Sequence, residues 1–491
     1  MLGNIFTGAL LAASMRWIDR LLGIVSTLVL ARLLTPADFG IIAMASVIMG
    51  LMDVLLDLGV IAMLIQKRDC DDEDFSNAWT VRVIECIVVA MLIILTAPLA
   101  ADFYHDDRVA PVLKIMAISV LVTGFENVGV VFFQKDMQFG KDFQFFFLRR
   151  LVGFVAALAL ALWLQSYWAL PLGALAGRLG GVALSYVLHP FRPRLTLSRF
   201  RQVWSFSRWM LLRNSGDYFA SRLDKLLVGN RADAAIMGAY NLADEISVMP
   251  TSELLMPIWR VLFPALVKVR DHPEELQRAF LLAMAVQVMI AAPAAVGLAI
   301  VARDAVALLL GDQWMGAVPF VQVLALVYGL NAINFGTSHL LMALGRVHIV
   351  GMFVWVQILV FGLGAVTFLA GSGPLALAHW RLAVCALYTL AFLLFIFQAV
   401  PSLRPRHIYA VVWRPVVATA FMAGLLPFLS LEGWSPLPSL LVRCAVGGTL
   451  YGVALLLLWL LAERPRGAEA YVLDKLVTIF RRPVMVSRAP D

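Results

Sequence analysis

Charged side chains lie inside long apolar stretches of the sequence, where charge is energetically expensive. Four of the fourteen apolar stretches hold most of these charges. They are Arg16, Asp19 and Arg20 in the first, Asp53 and Asp57 in the second, Arg208, Arg213, Asp217, Arg222, Asp224 and Lys225 in the seventh, and Asp244, Glu245, Glu253 and Arg260 in the eighth. A charge near the bilayer centre costs about 2.5–3.5 kcal/mol on insertion scales, so each side chain needs a partner or a water-filled cavity. Because a guanidinium matches the geometry of phosphate, arginines in such a cavity suit an anionic substrate.

The spacing of these charges places several of them on shared helix faces. Arg16 and Arg20 are four residues apart, and so are Arg213 and Asp217, which is the spacing of neighbours on one face. Two interpretations stay open. The charges pair with one another, as Arg16 could with Asp19, or they line a hydrated cavity that binds an anion. Their concentration in a few stretches favours the cavity.

Length and composition show which elements must position these charges. The chain has 491 residues, of which 62% are hydrophobic and 14% charged, against about a quarter charged in a soluble domain. A membrane-spanning helix needs about 20 mostly apolar residues. Segments of that kind lie at 7–33, 37–65, 76–100, 109–133, 143–164, 167–189, 202–228, 234–264, 276–301, 315–343, 347–370, 374–399, 411–430 and 438–461. The sequence therefore predicts an all-α polytopic membrane protein with about 14 transmembrane helices and excludes a soluble enzyme.

Basic residues mark one side of the membrane. Loops with several Lys or Arg residues, and the basic C-terminal tail, alternate with loops that have one or none; the sparse set holds Arg32, Arg108, Arg231 and Arg303. Because basic loops stay in the cytoplasm, we expect both termini there. In the first outer turn, Thr35, Pro36 and Asp38 are predicted to be the N-cap, N1 and N3 residues of the second helix.

The chain is weakly similar to itself at an offset of 198 residues. Asp19 aligns with Asp217, and Gly40 aligns with Gly238. Six spans separate the copies, so the copies share one orientation, which implies two pseudo-symmetric six-helix lobes with a substrate site between them. We expect lobes at 1–190 and 200–400, two additional transmembrane helices within 410–462 and a basic cytoplasmic tail at 463–491.

Other spans carry isolated charges, which we expect to form buried pairs or to reach the membrane faces. They are Arg82, Glu85, Glu126, Arg149, Arg150, Arg178 and Arg381. In the tenth span, Asn331, Asn334 and His339 are candidates to line the cavity, and His339 is equally a candidate for a hydrogen-bonded packing residue. Glycines 173, 177 and 181 form a double G-x-x-x-G pattern, which predicts close helix packing.

Nothing in the sequence indicates a catalytic site, and we expect the chain not to be an enzyme. It has no Walker motif, and no long outer loop carries catalytic acids. The four cysteines form no CxxC or Cys/His cluster, so we expect no disulfide framework, metal or cofactor. The basic residues are dispersed over the loops, which indicates membrane orientation rather than binding of nucleic acid.

Two groups of segments resemble the Wzx-type polysaccharide flippases of the MOP (multidrug/oligosaccharidyl-lipid/polysaccharide) exporter superfamily. The first is LVLARLLTPADFGIIA at 28–43, followed by DLG at 57–59. The second comprises FSRW at 206–209, SRLDKLLVG at 221–229 and GAYNLA at 238–243. The resemblance covers essentially the whole chain and implies a V-shaped fold of two six-helix bundles plus two further spans.

The resemblance also implies a function and its residues. It implies that the chain moves undecaprenyl-diphosphate-linked oligosaccharide to the outer leaflet of the bacterial inner membrane, for exopolysaccharide, capsule or lipopolysaccharide synthesis. Alternating access would be coupled to a proton or sodium gradient. The implied substrate-binding residues are Arg16, Arg20, Arg213, Arg222 and Lys225, and the candidates for ion coupling are Asp19, Asp57, Asp217 and Asp224.

The implied partners are the lipid-linked substrate, the bilayer, and the polysaccharide polymerase and glycosyltransferases. Two alternatives from the same superfamily stay open, a drug or metabolite cation antiporter and a lipid II flippase. A cation antiporter would be expected to have a mainly acidic cavity. The several arginines of this chain favour an anionic substrate.

Overall fold

The computed structural model describes residues 21–56, 64, 71–136, 138–198, 218–219, 221–431, 433–465 and 467–470. The described residues contain helices and no strand. The helices are α1 (Leu21–Leu33), α2 (Pro36–Leu56), α3 (Asp72–Tyr104), α4 (Val109–Gly124), α5 (Phe139–Leu164), α6 (Ala169–Leu188), α7 (221–231), α8 (Ala234–Lys268), α9 (Pro273–Leu309), α10 (Val318–Ala343), α11 (Val347–Thr367), α12 (Pro374–Ala399), α13 (Pro405–Leu425) and α14 (Pro436–Leu461). A short helical turn, Val131–Lys135, lies between α4 and α5.

These helices confirm the predicted polytopic α-helical membrane fold. Nine helices among the described residues are long and apolar enough to cross a membrane, and α1, the first part of α2, and α4 are shorter apolar helices. The predicted start of the second helix is also confirmed. Asp38 Oδ2 accepts from the backbone N–H of Thr35 at 2.9 Å, and Thr35 Oγ1 accepts from the N–H of Asp38 at 3.3 Å. This reciprocal capping box fixes where α2 begins.

The chain divides into two compact units, residues 1–241 and 242–491. Within the first unit, α5 packs along α6 through the predicted glycine pattern. A Cβ built on Gly177 would lie 2.9 Å from Cα of Gly153, and Gly173 faces Ala157. Small residues at these positions let the two backbones approach closely, which is how membrane helices pack without a hydrophobic driving force. The predicted lobe boundaries near 190 and 200 stay predictions.

The second unit has an apolar core formed by α9, α10 and α12. Phe280 and Met284 of α9, Leu340 of α10 and Phe392 of α12 are buried there. Polar contacts link α14 to α9, and α13 to the segment that follows α14. Ser439 donates to Asp304 Oδ2 at 2.9 Å. The Arg414 guanidinium forms two hydrogen bonds with the Glu469 carboxylate, at 2.7 and 3.3 Å, with both side chains buried.

The first turns of α2 and α8 contact each other through two glycines of the sequence repeat. A Cβ built on Gly40 would overlap the carbonyl of Ala234, and one built on Gly238 would overlap the carbonyl of Pro36. The offset of 198 that relates Gly40 to Gly238 also relates Pro36 to Ala234. The contact is therefore reciprocal, as at a two-fold axis, and it supports the internal repeat.

Within the first unit, the segment at 189–198 follows α6 and lies along the start of α3. The backbone N–H of Thr196 donates to Thr80 Oγ1 at 2.9 Å, and Asn127 Nδ2 donates to the carbonyl of Phe191 at 2.7 Å. His189 opens the segment, and its Nδ1 accepts from the N–H of Phe191 at 3.2 Å. These bonds hold an extended segment against the helices.

Candidate functional site

The structure describes three of the nine predicted site residues, and all three lie on α7. They are Arg222, Asp224 and Lys225. The other six lie outside the described residues: Arg16, Asp19, Arg20, Asp57, Arg213 and Asp217. The part of the predicted basic tail beyond residue 470 also lies outside them. The roles assigned to these residues stay predictions.

Asp224 and Lys225 are buried and bonded to the first turns of α8. Tyr240 donates its hydroxyl to Asp224 Oδ2 at 2.7 Å, and Lys225 Nζ donates to Asn241 Oδ1 at 2.8 Å. Asp224 is 6% exposed and Lys225 is 4% exposed. Since a buried charge is tolerated only when it is hydrogen-bonded or paired, these contacts account for their presence in an apolar helix. They also join α7 to α8.

Arg222 has a different environment from its two neighbours. Its side chain is exposed, although it lies roughly 13 Å along the helix axis from the last residue of α7 at 1.5 Å per residue. That depth is inside the hydrocarbon layer of a bilayer, where a guanidinium faces water rather than lipid. Arg222 thus differs from Asp224 and Lys225 in having an exposed side chain, and its role in substrate binding stays a prediction.

Tyr218 was not singled out from the sequence, and it lies on the short helical stretch just before α7. Its hydroxyl donates to the carbonyl of Val47 on α2, and its ring lies over Gly50, where a built Cβ would be 3.1 Å from the ring. The absence of a side chain at Gly50 makes room for the ring. Tyr218 thereby sets the position of the α7 segment relative to α2.

A second polar cluster joins three helices of the second unit. The Asp244 carboxylate of α8 accepts from the Tyr328 hydroxyl of α10 at 2.6 Å and forms an ion pair with Arg381 of α12 at 3.1 Å. The Asp244 and Arg381 side chains are 13% and 19% exposed. Sequence reasoning placed Asp244 among the charges of the eighth span and treated Arg381 as isolated. It did not find that they pair.

The polar residues of α10 have local partners. Cys385 of α12 donates its thiol to Asn331 Oδ1 at 3.3 Å. His339 Nδ1 lies 2.8 Å from the carbonyl of Phe335 within the same helix, which fits a hydrogen-bonded packing residue. Asn334 is 7% exposed. The described residues contain no group of three or more His, Cys, Asp or Glu side chains that could hold a metal ion.

Several isolated charges of the first unit have polar partners, although the arginines of the two ion pairs are partly exposed. Arg149 lies 3.1 Å from Glu126, and Arg82 lies 3.4 Å from Glu85. Arg178 donates to the Thr123 hydroxyl at 2.9 Å. Arg149 also lies over the rings of Phe145 and Phe146, 5.5 and 5.2 Å from their centroids. These contacts stabilise cations that would otherwise meet lipid.

The chain is similar to known membrane proteins of polysaccharide synthesis. A model of the family described as polysaccharide biosynthesis protein matches residues 29–319. The lipopolysaccharide biosynthesis protein WzxC of Escherichia coli (strain K12) is 28% identical over 439 residues, which are 88% of this chain and 85% of the relative. The succinoglycan biosynthesis transport protein ExoT of Rhizobium meliloti (strain 1021) is 25% identical and covers 89% of this chain and 88% of its own.

The fold is also that of solved transporters. The lipid II flippase MurJ, in its inward closed conformation, superposes with a TM-score of 0.74 at 11% identity, over 91% of this chain and 98% of its own. An inward-facing multidrug resistance transporter of the MATE family, from the MOP superfamily, has a TM-score of 0.56 at 14% identity over 77% of this chain and 94% of its own. At these identities the similarity shows the fold. Because the family model matches more than half of the residues, the chain belongs to the polysaccharide biosynthesis protein family, as its resemblance to the polysaccharide flippases predicted.

Proposed function

We propose that this protein moves undecaprenyl-diphosphate-linked oligosaccharide repeat units across the bacterial inner membrane, for exopolysaccharide, capsule or lipopolysaccharide synthesis. The observation that carries the proposal is the similarity to WzxC and ExoT over almost nine-tenths of the chain. Both relatives are named for the synthesis or transport of surface polysaccharide. The many apolar helices fit a substrate whose carrier lipid lies in the bilayer.

The charge pattern supports a substrate with a diphosphate. A diphosphate cannot cross hydrocarbon without compensating charge. Arg222 is exposed at the depth of the hydrocarbon layer, and its guanidinium can bind phosphate in a bidentate manner. Arg16, Arg20 and Arg213 are proposed to act with it. Lys225 would contribute to binding only after leaving Asn241.

The proposed transport cycle is alternating access coupled to a proton or sodium gradient. An ion that binds one conformation better than the other shifts the equilibrium toward that conformation. Asp19, Asp57, Asp217 and Asp224 are the proposed coupling carboxylates. Of these, Asp224 accepts a hydrogen bond from Tyr240, so its protonation would change a contact between α7 and α8.

Both termini are proposed to be cytoplasmic, because the basic loops alternate along the chain. The proposed partners are glycosyltransferases, which would act before the transport step, and a polysaccharide polymerase, which would act after it. The lipid II flippase is the second candidate function, and the MurJ fold similarity is the observation that favours it. Its substrate also has an undecaprenyl diphosphate carrier, so the two functions differ in the sugar and in the polymer.

The test is a deletion strain in which lipid-linked repeat units and surface polysaccharide are both quantified. We expect loss of surface polymer and accumulation of lipid-linked units on the cytoplasmic leaflet, with restoration by the wild-type gene. Arg222→Gln should fail to restore polymer, whereas Arg278→Gln, at an exposed position near the start of α9, should restore it. Unchanged polymer with altered drug tolerance would favour the cation antiporter. Arrest of growth with loss of peptidoglycan would favour the lipid II flippase.

A further inference from the structure

Three basic side chains outside the predicted substrate site converge where α5 begins and α6 ends. Lys141 is in the first turn of α5, His189 follows the last residue of α6, and Arg192 is three residues further along the chain. Both helices are long and apolar enough to cross a membrane. Because these spans begin and end there, the three side chains lie at the level of the lipid phosphates rather than among the acyl chains.

The His189 imidazole is held by its neighbours on one side. Its ring stacks on Phe132, with the centroids 5.2 Å apart and the planes 3° apart. Its Nδ1 accepts the backbone N–H of Phe191 at 3.2 Å, and a Cβ built on Gly129 would overlap this nitrogen. Since Nδ1 is an acceptor, the proton of the neutral ring is on Nε2. That N–H can donate to an anion whether the ring is neutral or protonated.

The two cations are held beside this imidazole. Lys141 Nζ lies 5.8 Å from the ring centroid of Phe133, and the same ring meets His189 edge-on at 5.5 Å. The Arg192 guanidinium donates to the carbonyl of His189 at 2.9 Å and to the carbonyl of Tyr186 at 3.2 Å. Lys141 and Arg192 are exposed, and neither forms an ion pair with a residue that the structure describes.

The electrostatics of the imidazole agree with this arrangement. Burial, Lys141 and Arg192 lower the pKa of His189, whereas the carboxylate of Asp136 raises it. Asp136 is an exposed residue just before α5. Two cations beside one carboxylate leave a net positive charge next to a ring N–H donor, which is the charge that attracts a phosphate.

Apolar surface beside these residues indicates that the phosphate belongs to a lipid. Val187, in the last turn of α6, is 80% exposed, and Leu195, in the segment that follows, is 75% exposed. Tyr186 beside Val187 is of a residue type that is enriched at membrane–water interfaces. A lipid would place its headgroup against the cations and its acyl chains along this apolar surface. The basic residues favour a headgroup with net negative charge.

We propose that Lys141, His189 and Arg192 bind the phosphate of an anionic glycerophospholipid. Lys141 supplies a mobile ammonium group, Arg192 a guanidinium fixed at the end of α6, and His189 its Nε2–H. The site is separate from the one proposed for the transported substrate and does not depend on that substrate's identity. One lipid bound there contacts α5, α6 and the segment at 189–198, so it stabilises the packing of these elements.

The test is native mass spectrometry of the purified full-length protein, released from neutral detergent micelles that contain phosphatidylglycerol or phosphatidylcholine. Each variant is measured in one sample with the wild type, so that the Kd values for the first bound lipid are compared directly. Lys141→Gln should raise the Kd for phosphatidylglycerol about fivefold, the loss expected for one basic residue at an anionic lipid surface. It should leave the Kd for phosphatidylcholine unchanged. Arg192→Gln should act in the same direction.

Two further variants make the test specific for charge at this site. Asp136→Asn removes the carboxylate that opposes the cations, so it should lower the Kd for phosphatidylglycerol. Arg278→Gln is the matched control, because Arg278 is an exposed cation near the start of the spanning helix α9 and is paired with Glu274 at 3.8 Å. It should leave the Kd for phosphatidylglycerol unchanged.

Three results would contradict the proposal. Equal Kd values of the wild type and Lys141→Gln for phosphatidylglycerol would overturn the site. An equal loss of affinity for phosphatidylglycerol and phosphatidylcholine in Lys141→Gln would overturn the preference for an anionic headgroup. Displacement of the bound lipid by glycerol phosphate at the same concentration would overturn the lipid as the ligand and identify a site for soluble phosphate esters.

Discussion

The contact between Gly40 and Gly238 predicts a reciprocal pair of destabilising substitutions. A Cβ on Gly40 would lie 2.9 Å from Cα of Ala234 and would overlap its carbonyl, and a Cβ on Gly238 would lie 2.9 Å from the backbone N of Gly40. Ordinary contact begins near 3.4 Å. Because each Cβ would overlap a carbonyl oxygen, which is nearer than these atoms, the first turns of α2 and α8 must move apart by about 1.5 Å in either variant.

The change in unfolding free energy of each variant follows from two opposing effects. Overpacking of a close contact costs about 1–3 kcal/mol, and replacing Gly by Ala in a helix returns about 0.5–1 kcal/mol. Each single variant, Gly40→Ala or Gly238→Ala, should lose about 1–2 kcal/mol of unfolding free energy. Once one methyl group has separated the helices, the second methyl group has room. The double variant should therefore lose about as much as one single variant, and not the sum of the two.

The assay is reversible unfolding of the purified full-length protein in mixed micelles with increasing sodium dodecyl sulfate, followed by tryptophan fluorescence. Gly448→Ala is the control, because nothing lies within 4 Å of a Cβ built at that helical position. It should be neutral or slightly stabilising. Additive losses in the double variant, or single variants that behave like Gly448→Ala, would refute the reciprocal contact.

Three further predictions concern other contacts. Arg381→Ala leaves the Asp244 carboxylate without its guanidinium and should cost about 3 kcal/mol of unfolding free energy; leucine at both positions should recover part of this loss in the same unfolding assay. Burial and two nearby basic residues lower the pKa of His189, so the neutral imidazole contributes to the unfolding free energy. This contribution is fully present above the ordinary pKa of about 6.5, and it is lost as the pH falls from that value through the lowered pKa. The denaturant concentration at the unfolding midpoint should therefore decrease when the pH is lowered from 7 to 5. In His189→Gln this decrease should be smaller. Gly177→Leu should separate α5 from α6 at Gly153 and lower the unfolding free energy by about 1–3 kcal/mol. Gly448→Leu, the control, should change it little.

The sequence predicted the helices well because their apolar runs end at recognisable residues. Proline begins α13 and α14, and the capping box at Thr35 and Asp38 begins α2. Prediction was weaker where a helix continues beyond the bilayer. α9 runs over Pro273–Leu309, longer than the predicted span at 276–301. Hydrophobicity does not detect such an extension, because its first turn contains the polar helix formers Glu274 and Glu275.

Side-chain partners were much harder to predict than helices. Periodicity shows which residues share a face, but the partner depends on how helices rotate and pack against one another. Asp244 and Arg381 are 137 residues apart, and nothing in the local pattern of either residue indicates the other. The reciprocal glycine contact is a partial exception. The sequence repeat aligns Gly40 with Gly238, and symmetry brings equivalent residues together near an axis.

The sequence left two interpretations open for the charges within the membrane spans, pairing and a hydrated cavity, and α7 combines hydrogen-bonded buried charges with an exposed one. Asp224 and Lys225 are buried against α8 and have hydrogen-bond partners there, whereas Arg222 is exposed. Arg222 and Asp224 are two residues apart and so point to different sides of the helix. The buried charges fix how α7 packs against α8, and this packing holds the Arg222 guanidinium in a defined place. Under the proposed function, neutralising Asp224 should therefore weaken binding of the lipid-linked substrate by the purified protein, without removing a group that is proposed to contact the phosphate.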